Sequence, residues 1–157
     1  MPNARIHYRG KMLFEGVSGS GHRVLMDSAP EAGGENQGIR PMETVLVALG
    51  GCTGMDVVSI LNKMRVEFQS FDMEILGKRR EEHPKAYQYI TVRYQFEGAD
   101  EVDLEKITRA VSLSQEKYCS VSATLEASAR IDAEIYVNGA LKGTLSHGGD
   151  GPQQRPV

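Results

Sequence analysis

The chain contains two cysteines, Cys52 and Cys119, and their chemistry sets the range of possible functions. Cys52 lies within the apolar segment 45–55, which reads VLVALGGCTGM, and Cys119 follows in the sequence KYCS; each adjoins a predicted helix. A thiolate attacks peroxides, disulfides and metal ions, whereas a thiol packed in a core acts as a small hydrophobic group. The residue types alone leave both roles open for Cys52.

A dithiol peroxidase requires a thiolate that attacks the peroxide, a cation that keeps it ionised, apolar surroundings and a second thiol that captures the sulfenic acid. Cys52 has the apolar neighbours, and Cys119 is available as the second thiol. Because burial raises the pKa of a thiol, we expect an arginine or lysine beside the attacking sulfur. The sequence does not indicate which cation this is.

Metal and hydrolase chemistry are not indicated by the cysteine and histidine pattern. Neither a Cys-x-x-Cys pair nor a neighbouring cluster of histidines is present, so we expect no metal site. A Cys-His hydrolase needs the two side chains in hydrogen-bond contact, which sequence spacing cannot show. The four histidines fall in predicted strands, a turn and the tail: His7, His22, His83 and His147.

A long central helix is predicted to carry Cys52. Segment 4–27 contains short β-prone pieces and predicts two or three antiparallel strands, and the turn-rich segment 28–38 predicts a surface loop. Pro41 suits the first turn of a helix and Glu43 suits its positive end, so we expect a helix from about Pro41 to Met64. Its apolar residues fall on every face, which is typical of a helix surrounded by protein.

Three glycines, Gly50, Gly51 and Gly54, flank Cys52 within this helix. Each costs about 1 kcal/mol relative to alanine in a helix interior, so their presence requires a reason. The alternatives are a tight crossing with another element and the close approach of a ligand.

The remaining segments predict an α+β fold with antiparallel sheet. Antiparallel strands at 71–81 and 87–97 form a hairpin, and Asp103 caps a second helix that continues to Tyr118. A short helix beginning at Ser120 or Ser122 and a strand at 129–137 follow. We expect one domain over residues 1–139 and a disordered tail over 140–157. A second copy of the chain would cover the all-round apolar helix, which predicts a homodimer.

Composition limits the class of protein and its partners. With 157 residues the chain can bury a sizeable core, and a net charge of −3 with scattered lysines and arginines lacks the basic patch that nucleic acids require. The N-terminal residues contain no apolar stretch of signal-peptide length, and the apolar segment 42–64 contains charged residues. We therefore expect a cytoplasmic protein with no nucleic-acid or membrane partner.

Two motifs together carry a family resemblance. The segment 40–61, RPMETVLVALGGCTGMDVVSIL, followed by 116–125, EKYCSVSATL, resembles the OsmC/Ohr family of osmotically inducible and organic hydroperoxide resistance proteins, and most closely its OsmC-like subgroup. The resemblance extends to about Asn138. It implies an intertwined α+β homodimer, with antiparallel sheets wrapped around a long buried helix and active sites at the subunit interface.

The resemblance also implies a reaction and the residues that perform it. Cys52 would attack an organic hydroperoxide, release an alcohol and form a disulfide with Cys119 that an external dithiol reduces. The resemblance implies that no cofactor is required. Among the arginines Arg5, Arg9, Arg23 and Arg40, the last adjoins the motif and is our candidate for the family's peroxidase arginine. Glu43 corresponds to the family's glutamate one place later in the chain, or caps the helix instead. The alternative is a non-catalytic dimer that binds a small apolar ligand or senses redox state.

Overall fold

The computed structural model describes residues 3–148 and confirms the α+β fold class. Its contacts divide the chain into two compact units, Met1–Val45 and Leu46–Val157. The strands are β1 (Ala4–Gly10), β2 (Leu13–Ser18), β3 (Arg23–Met26), β4 (Ser70–Arg79), β5 (Tyr87–Glu97), β6 (Arg130–Val137) and β7 (Ala140–His147). The α-helices are α1 (Pro41–Lys63), α2 (Leu104–Leu113) and α3 (Ser120–Leu125).

The N-terminal unit is a three-stranded antiparallel sheet in the order β1-β2-β3. This confirms the prediction of two or three antiparallel strands before residue 27. After β3, the Asp27 carboxylate accepts hydrogen bonds from the backbone N–H groups of Ser28, Glu35 and Gln37, at 2.8, 3.1 and 3.0 Å. These bonds lower the pKa of Asp27, with the bond from Gln37 contributing most. They organise the loop that leads into α1.

Helix α1 begins and ends as the sequence predicts, to within one residue. The Glu43 carboxylate accepts the backbone N–H of Arg40 at 2.9 Å, which is half of a capping box around Pro41. At the other end, Arg65 adopts a left-handed conformation with φ of 57°, and the N–H of Val66 donates to the carbonyl oxygen of Leu61. Local capping therefore fixes both ends of the helix.

The C-terminal unit contains a mixed four-stranded sheet in the order β4-β5-β6-β7. The β4–β5 and β6–β7 pairs are antiparallel, as expected, but β5 and β6 run parallel. The β5–β6 pair departs from the antiparallel sheet that the sequence predicts, because α2 and α3 lie between these strands and form the crossover that a parallel pair needs. The core includes Tyr94, Phe96, Ile131, Ile135, Leu49, Val57 and Leu61, which are at most 1% exposed.

Two of the three helix glycines allow α1 to lie close to β4. A methyl group added at Gly50 would lie 2.7 Å from Cδ1 of Ile75, and one added at Gly54 would lie 2.6 Å from Cε of Met73. Gly51 has nothing within 4 Å of that position. Close packing against the sheet thus explains Gly50 and Gly54, whereas nothing in the described chain explains Gly51.

One face of α1 remains exposed in the single chain. Val47 and Met55 are 63% and 77% exposed, although Leu49, Val57 and Leu61 are fully buried. The prediction that protein surrounds this helix therefore does not hold within one chain. Helix α1 is long and apolar enough to cross a membrane, a property that it shares with core helices of soluble proteins.

The second helix differs from its prediction at both ends. Asp100, and not Asp103, accepts a backbone N–H at the start, from Val102 at 3.1 Å, and opens a 3₁₀ turn before α2. The carboxylate of Asp103 instead pairs with Lys106 at 3.3 Å. At its other end α2 passes into a π-helical turn, Ser114–Tyr118, so the predicted continuous α-helix stops at Leu113.

Strand β7 corrects part of the predicted disordered tail. Residues Ala140–His147 pair antiparallel with β6 after a turn at Asn138 and Gly139, both of which have positive φ. The polar composition of this segment led to the prediction of disorder. A strand at the edge of a sheet, such as β7, needs only one apolar face and can therefore be rich in polar residues. Residues 149–157 of the predicted tail lie outside the described residues.

Candidate dithiol site

Three side chains of the C-terminal unit form a compact group. The sulfur atoms of Cys52 and Cys119 and a carboxylate oxygen of Asp56 all lie within 4.8 Å of one another. Cys52 and Asp56 are half-buried and Cys119 is buried. Both cysteines are free thiols. The structure thus brings together the two cysteines that the sequence singled out and adds a carboxylate that it did not.

Helix α1 positions two members of this group. Cys52 and Asp56 are four residues apart on α1, so their side chains lie on one face, one turn apart. A helix predicted over this segment already places the two side chains on one face. The four-residue spacing from Cys52 is therefore the sequence signal that could have identified Asp56.

Cys119 occupies the N-cap position of α3. Its sulfur accepts the backbone N–H of Ser122 at 3.4 Å, so the cysteine fills the role that the sequence assigned to Ser120 or Ser122. Burial raises the pKa of the Cys119 thiol, and the neighbouring Cys52 raises it further, whereas hydrogen bonding from Ser122 lowers it. The net effect is a raised pKa, which keeps Cys119 protonated at neutral pH.

A buried chain of hydroxyl groups ends on Asp56. Ser114 Oγ lies 2.9 Å from Asp56 Oδ2 and 2.8 Å from Thr53 Oγ1, which in turn lies 2.7 Å from the Tyr94 hydroxyl. An ionised carboxylate only accepts, and each hydroxyl has one proton to donate. The chain therefore runs from Tyr94 to Thr53, to Ser114 and to Asp56. Burial raises the pKa of Tyr94 to about 12, so this tyrosine remains the terminal donor.

The π-helical turn brings Ser114 and Cys119 to the same site. Residues five apart on an α-helix are rotated by about 140° from each other. Here the N–H of Cys119 donates to the carbonyl oxygen of Ser114 at 2.8 Å, the i to i+5 bond of a π turn. This wider turn lets both side chains contribute to the group around Asp56, and its hydrogen-bond register leaves no signal in the sequence.

Gln115 adds a polar group next to this chain. Its side chain is 4% exposed, and its hydrogen bond to Tyr94 lowers the pKa of that tyrosine, although burial of Tyr94 has the larger and opposite effect.

Arg40 and Glu43 lie in the N-terminal unit, where both have structural partners. The Arg40 guanidinium donates to the carbonyl oxygens of Gly38 and Asp27, at 3.0 and 3.4 Å, and to Asn36 Oδ1 at 2.8 Å. Glu43 caps α1, as one of its two sequence interpretations proposed. Catalytic roles for these two residues stay predictions.

Two of the other candidate arginines also have carboxylate partners. Arg9 and Arg23 both pair with Glu15, the latter at 2.6 Å. The bond from Arg9, followed by that from Arg23, lowers the pKa of Glu15, whose side chain is buried. Within the described part of the C-terminal unit, residues 46–148, the partners of the two thiols are Ser122, Asp56 and each other, and the expected arginine or lysine is not among them.

Comparisons with known sequences cover most of the chain. The family model described as "OsmC-like protein" matches residues 34–134. Protein YhfA of Escherichia coli strain K12 is 40% identical over 131 residues, which cover 82% of this chain and 92% of that protein.

Comparisons with solved structures agree with the fold. A protein of Aquifex aeolicus VF5 is 33% identical, with a TM-score of 0.71, and the match covers 87% of this chain and 97% of that one. A Legionella pneumophila protein described as an organic hydroperoxide resistance protein, OsmC, has a TM-score of 0.61 over 87% of this chain and 97% of its own. At 14% identity, this last likeness shows the fold alone.

Proposed function

Because this chain belongs to the OsmC-like protein family, we propose that it is a thiol-dependent peroxidase that reduces organic hydroperoxides through Cys52 and Cys119. The observation that carries the proposal is the separation of the two sulfur atoms, at most 4.8 Å. A disulfide needs about 2.05 Å, so a movement of less than about 3 Å closes the bond. The description of the Legionella protein of this fold as a hydroperoxide resistance protein supports the same substrate class.

Cys52 is the better nucleophile of the pair. It is half-buried and therefore reachable by a hydroperoxide, whereas Cys119 is buried and its pKa is raised. The Cys52 thiolate attacks the terminal oxygen of the hydroperoxide; a sulfur–oxygen bond forms as the oxygen–oxygen bond breaks. The sulfur loses two electrons and becomes a sulfenic acid, and the other peroxide oxygen leaves as an alkoxide.

Asp56 is placed to move the proton in this step. Its carboxylate lies within 4.8 Å of the Cys52 sulfur, a gap that one water or a small rotation bridges. The carboxylate accepts the thiol proton and then donates it to the leaving alkoxide, which gives the alcohol. The donor bond from Ser114 holds the carboxylate in position. In this scheme a base replaces the arginine that the sequence led us to expect.

Cys119 completes the cycle. Its sulfur attacks the sulfur of the Cys52 sulfenic acid; the disulfide forms, and the hydroxyl leaves with the Cys119 proton as water. An external dithiol then reduces the disulfide and regenerates both thiols. Each cycle consumes one hydroperoxide and one dithiol and produces one alcohol, one water and the disulfide form of the dithiol.

Two further expectations belong to this proposal. A homodimer would cover the exposed Val47 and Met55 of α1. A cytoplasmic location would supply the reductant, because the disulfide in this cycle is transient.

The test is consumption of cumene hydroperoxide in the presence of dithiothreitol. We expect turnover by the wild type and by the neighbouring control Ser120→Ala, none above background by Cys52→Ser, and slowed recycling by Cys119→Ser. Equal consumption by the wild type and Cys52→Ser would contradict the proposal. Disulfide formation without turnover would instead support the alternative hypothesis of a redox-sensing module.

A further inference from the structure

We propose that the reduced protein binds a borderline-soft divalent cation, best fitted by Zn²⁺, through Cys52, Asp56 and Cys119, and that the bound ion shields both thiols from peroxide. Within residues 3–148 these three donors are the group in which sulfur and oxygen ligands converge, within 4.8 Å of one another. The binding rests on the donor set alone, whereas the shielding rests on the proposed peroxidase function.

The spacing of the donors is close to that of a tetrahedral zinc site. With Zn–S distances of about 2.3 Å and Zn–O distances of about 2.1 Å, tetrahedral ligands lie about 3.6–3.8 Å apart. The observed limit of 4.8 Å is wider by about 1 Å, which side-chain rotation can close. Cys52 and Asp56 share one face of α1, and Cys119 comes from the start of α3, so the ligands approach from two elements.

The surroundings orient the carboxylate as a ligand. Ser114 donates a hydrogen bond to Asp56 Oδ2. The Ser114 hydroxyl is itself hydrogen-bonded to Thr53, which is hydrogen-bonded to Tyr94. A carboxylate has more acceptor positions than the one that Ser114 fills, so Asp56 can also ligate an ion. Hydrogen bonds to ligating carboxylates are a regular feature of protein metal sites, because they fix the orientation of the ligand.

The donor types select the class of ion. Two thiolates and one carboxylate suit Zn²⁺, Co²⁺ and Cd²⁺, whereas Mg²⁺ and Ca²⁺ prefer oxygen ligands alone. Three protein ligands leave a fourth position open for water or a small thiol. This site has no recognisable sequence signature, because its ligands form neither a Cys-x-x-Cys pair nor a histidine-rich cluster.

Oxidation state controls such a site. Formation of the Cys52–Cys119 disulfide removes two of the three donors, so the oxidised chain is not expected to hold the ion. Conversely, an ion coordinated by both sulfur atoms occupies the electron pairs that would attack a peroxide. The cation and the hydroperoxide thus compete for the same reduced dithiol.

The test is a titration of the full reduced chain with Co²⁺. Binding is monitored through the sulfur-to-cobalt charge-transfer absorption band in the near ultraviolet. We expect one Co²⁺ per chain, displacement by Zn²⁺, and loss of the band in Cys52→Ser, in Cys119→Ser and in wild type oxidised with diamide. Asp56→Asn should retain the band but bind at least about tenfold more weakly. Asp72→Asn, at an exposed position of β4, is the matched control and should bind as the wild type does.

Several outcomes overturn the proposal. These are an absence of the band in the reduced wild type, its persistence in the disulfide form, or equal affinity of the wild type and Asp56→Asn. The proposal of shielding would be overturned if cumene hydroperoxide oxidised the thiols at the same rate with saturating Zn²⁺ as without it. Peroxide turnover measured in a metal chelator reports the proposed function separately, so failure of one proposal is distinguishable from failure of the other.

Discussion

The carboxylate of Asp56 lies within 4.8 Å of the Cys52 sulfur, one turn along helix α1. A carboxylate at this place has two opposite effects on the thiol. Its charge disfavours a neighbouring thiolate, but its oxygen can also accept the thiol proton. The proposed mechanism requires that proton acceptance dominates.

Asp56→Asn separates these two effects. Asparagine keeps an acceptor for Ser114 and removes both the charge and the base. We expect peroxide oxidation of Cys52 to slow by about a hundredfold at pH 7. The rate is measured by stopped-flow with cumene hydroperoxide as a function of pH, with Asp72→Asn as the control. A faster reaction in Asp56→Asn would mean that charge repulsion dominates and that Asp56 is not the base.

Tyr94→Phe tests the buried hydroxyl chain. The change removes the terminal donor and leaves the Thr53 oxygen without its partner in a buried site, so the free energy of unfolding should fall by about 1–3 kcal/mol. Tyr136→Phe is the matched control, because Tyr136 donates to the half-exposed Glu134, which water can reach. Tyr136→Phe should lower the free energy of unfolding by at most about 1 kcal/mol, measured by urea unfolding of the reduced protein. Equal costs for both variants would show that the chain contributes nothing particular to stability.

Substitution by alanine should change the free energy of unfolding in opposite directions at Gly50 and Gly51. Gly51→Ala gains helix propensity without a clash and should raise the free energy of unfolding by up to about 1 kcal/mol. Gly50→Ala forces Ile75 to move and should lower it, because overpacking costs about 1–3 kcal/mol. Urea unfolding of both variants provides the comparison. A destabilising Gly51→Ala would indicate that another surface approaches α1 at this residue.

Closure of the disulfide should speed up with pH. Burial raises the pKa of Cys119, so its attacking thiolate is scarce at pH 7 and increases as the pH rises through and above the ordinary thiol range. The rate at which the Cys52 sulfenic acid disappears, followed from pH 7 to pH 9 after rapid oxidation, should rise throughout. Reaction of that sulfenic acid with an external thiol in Cys119→Ser provides the reference. A rate that is flat over this range would mean that Cys119 is already ionised.

The sequence predicted the elements that local chemistry determines. Pro41 and the spacing of apolar residues located α1, and the alternation in 87–97 located β5. Non-local features escaped prediction. The parallel pairing of β5 with β6 and the edge strand β7 depend on partners that are distant in the chain.

The site was predictable in part. The two cysteines were singled out by their number and their positions beside predicted helices, and the family resemblance implied their roles and their pairing. Asp56 was within reach of helical periodicity, whereas Ser114 depends on a π turn that leaves no local signature. The sequence could not show the partners of the candidate arginines: Arg9 and Arg23 pair with Glu15, and Arg40 donates to loop carbonyl oxygens. A catalytic role for Arg40 stays a prediction.

The most direct test of the account is to treat the reduced protein with one equivalent of cumene hydroperoxide and map its thiols by non-reducing peptide mass spectrometry. The proximity of the two sulfur atoms predicts a Cys52–Cys119 disulfide within one chain, formed in high yield and absent from Cys52→Ser. Recovery of both cysteines as free thiols, or of Cys52 as a stable sulfenic acid beside an unreacted Cys119, would contradict the account.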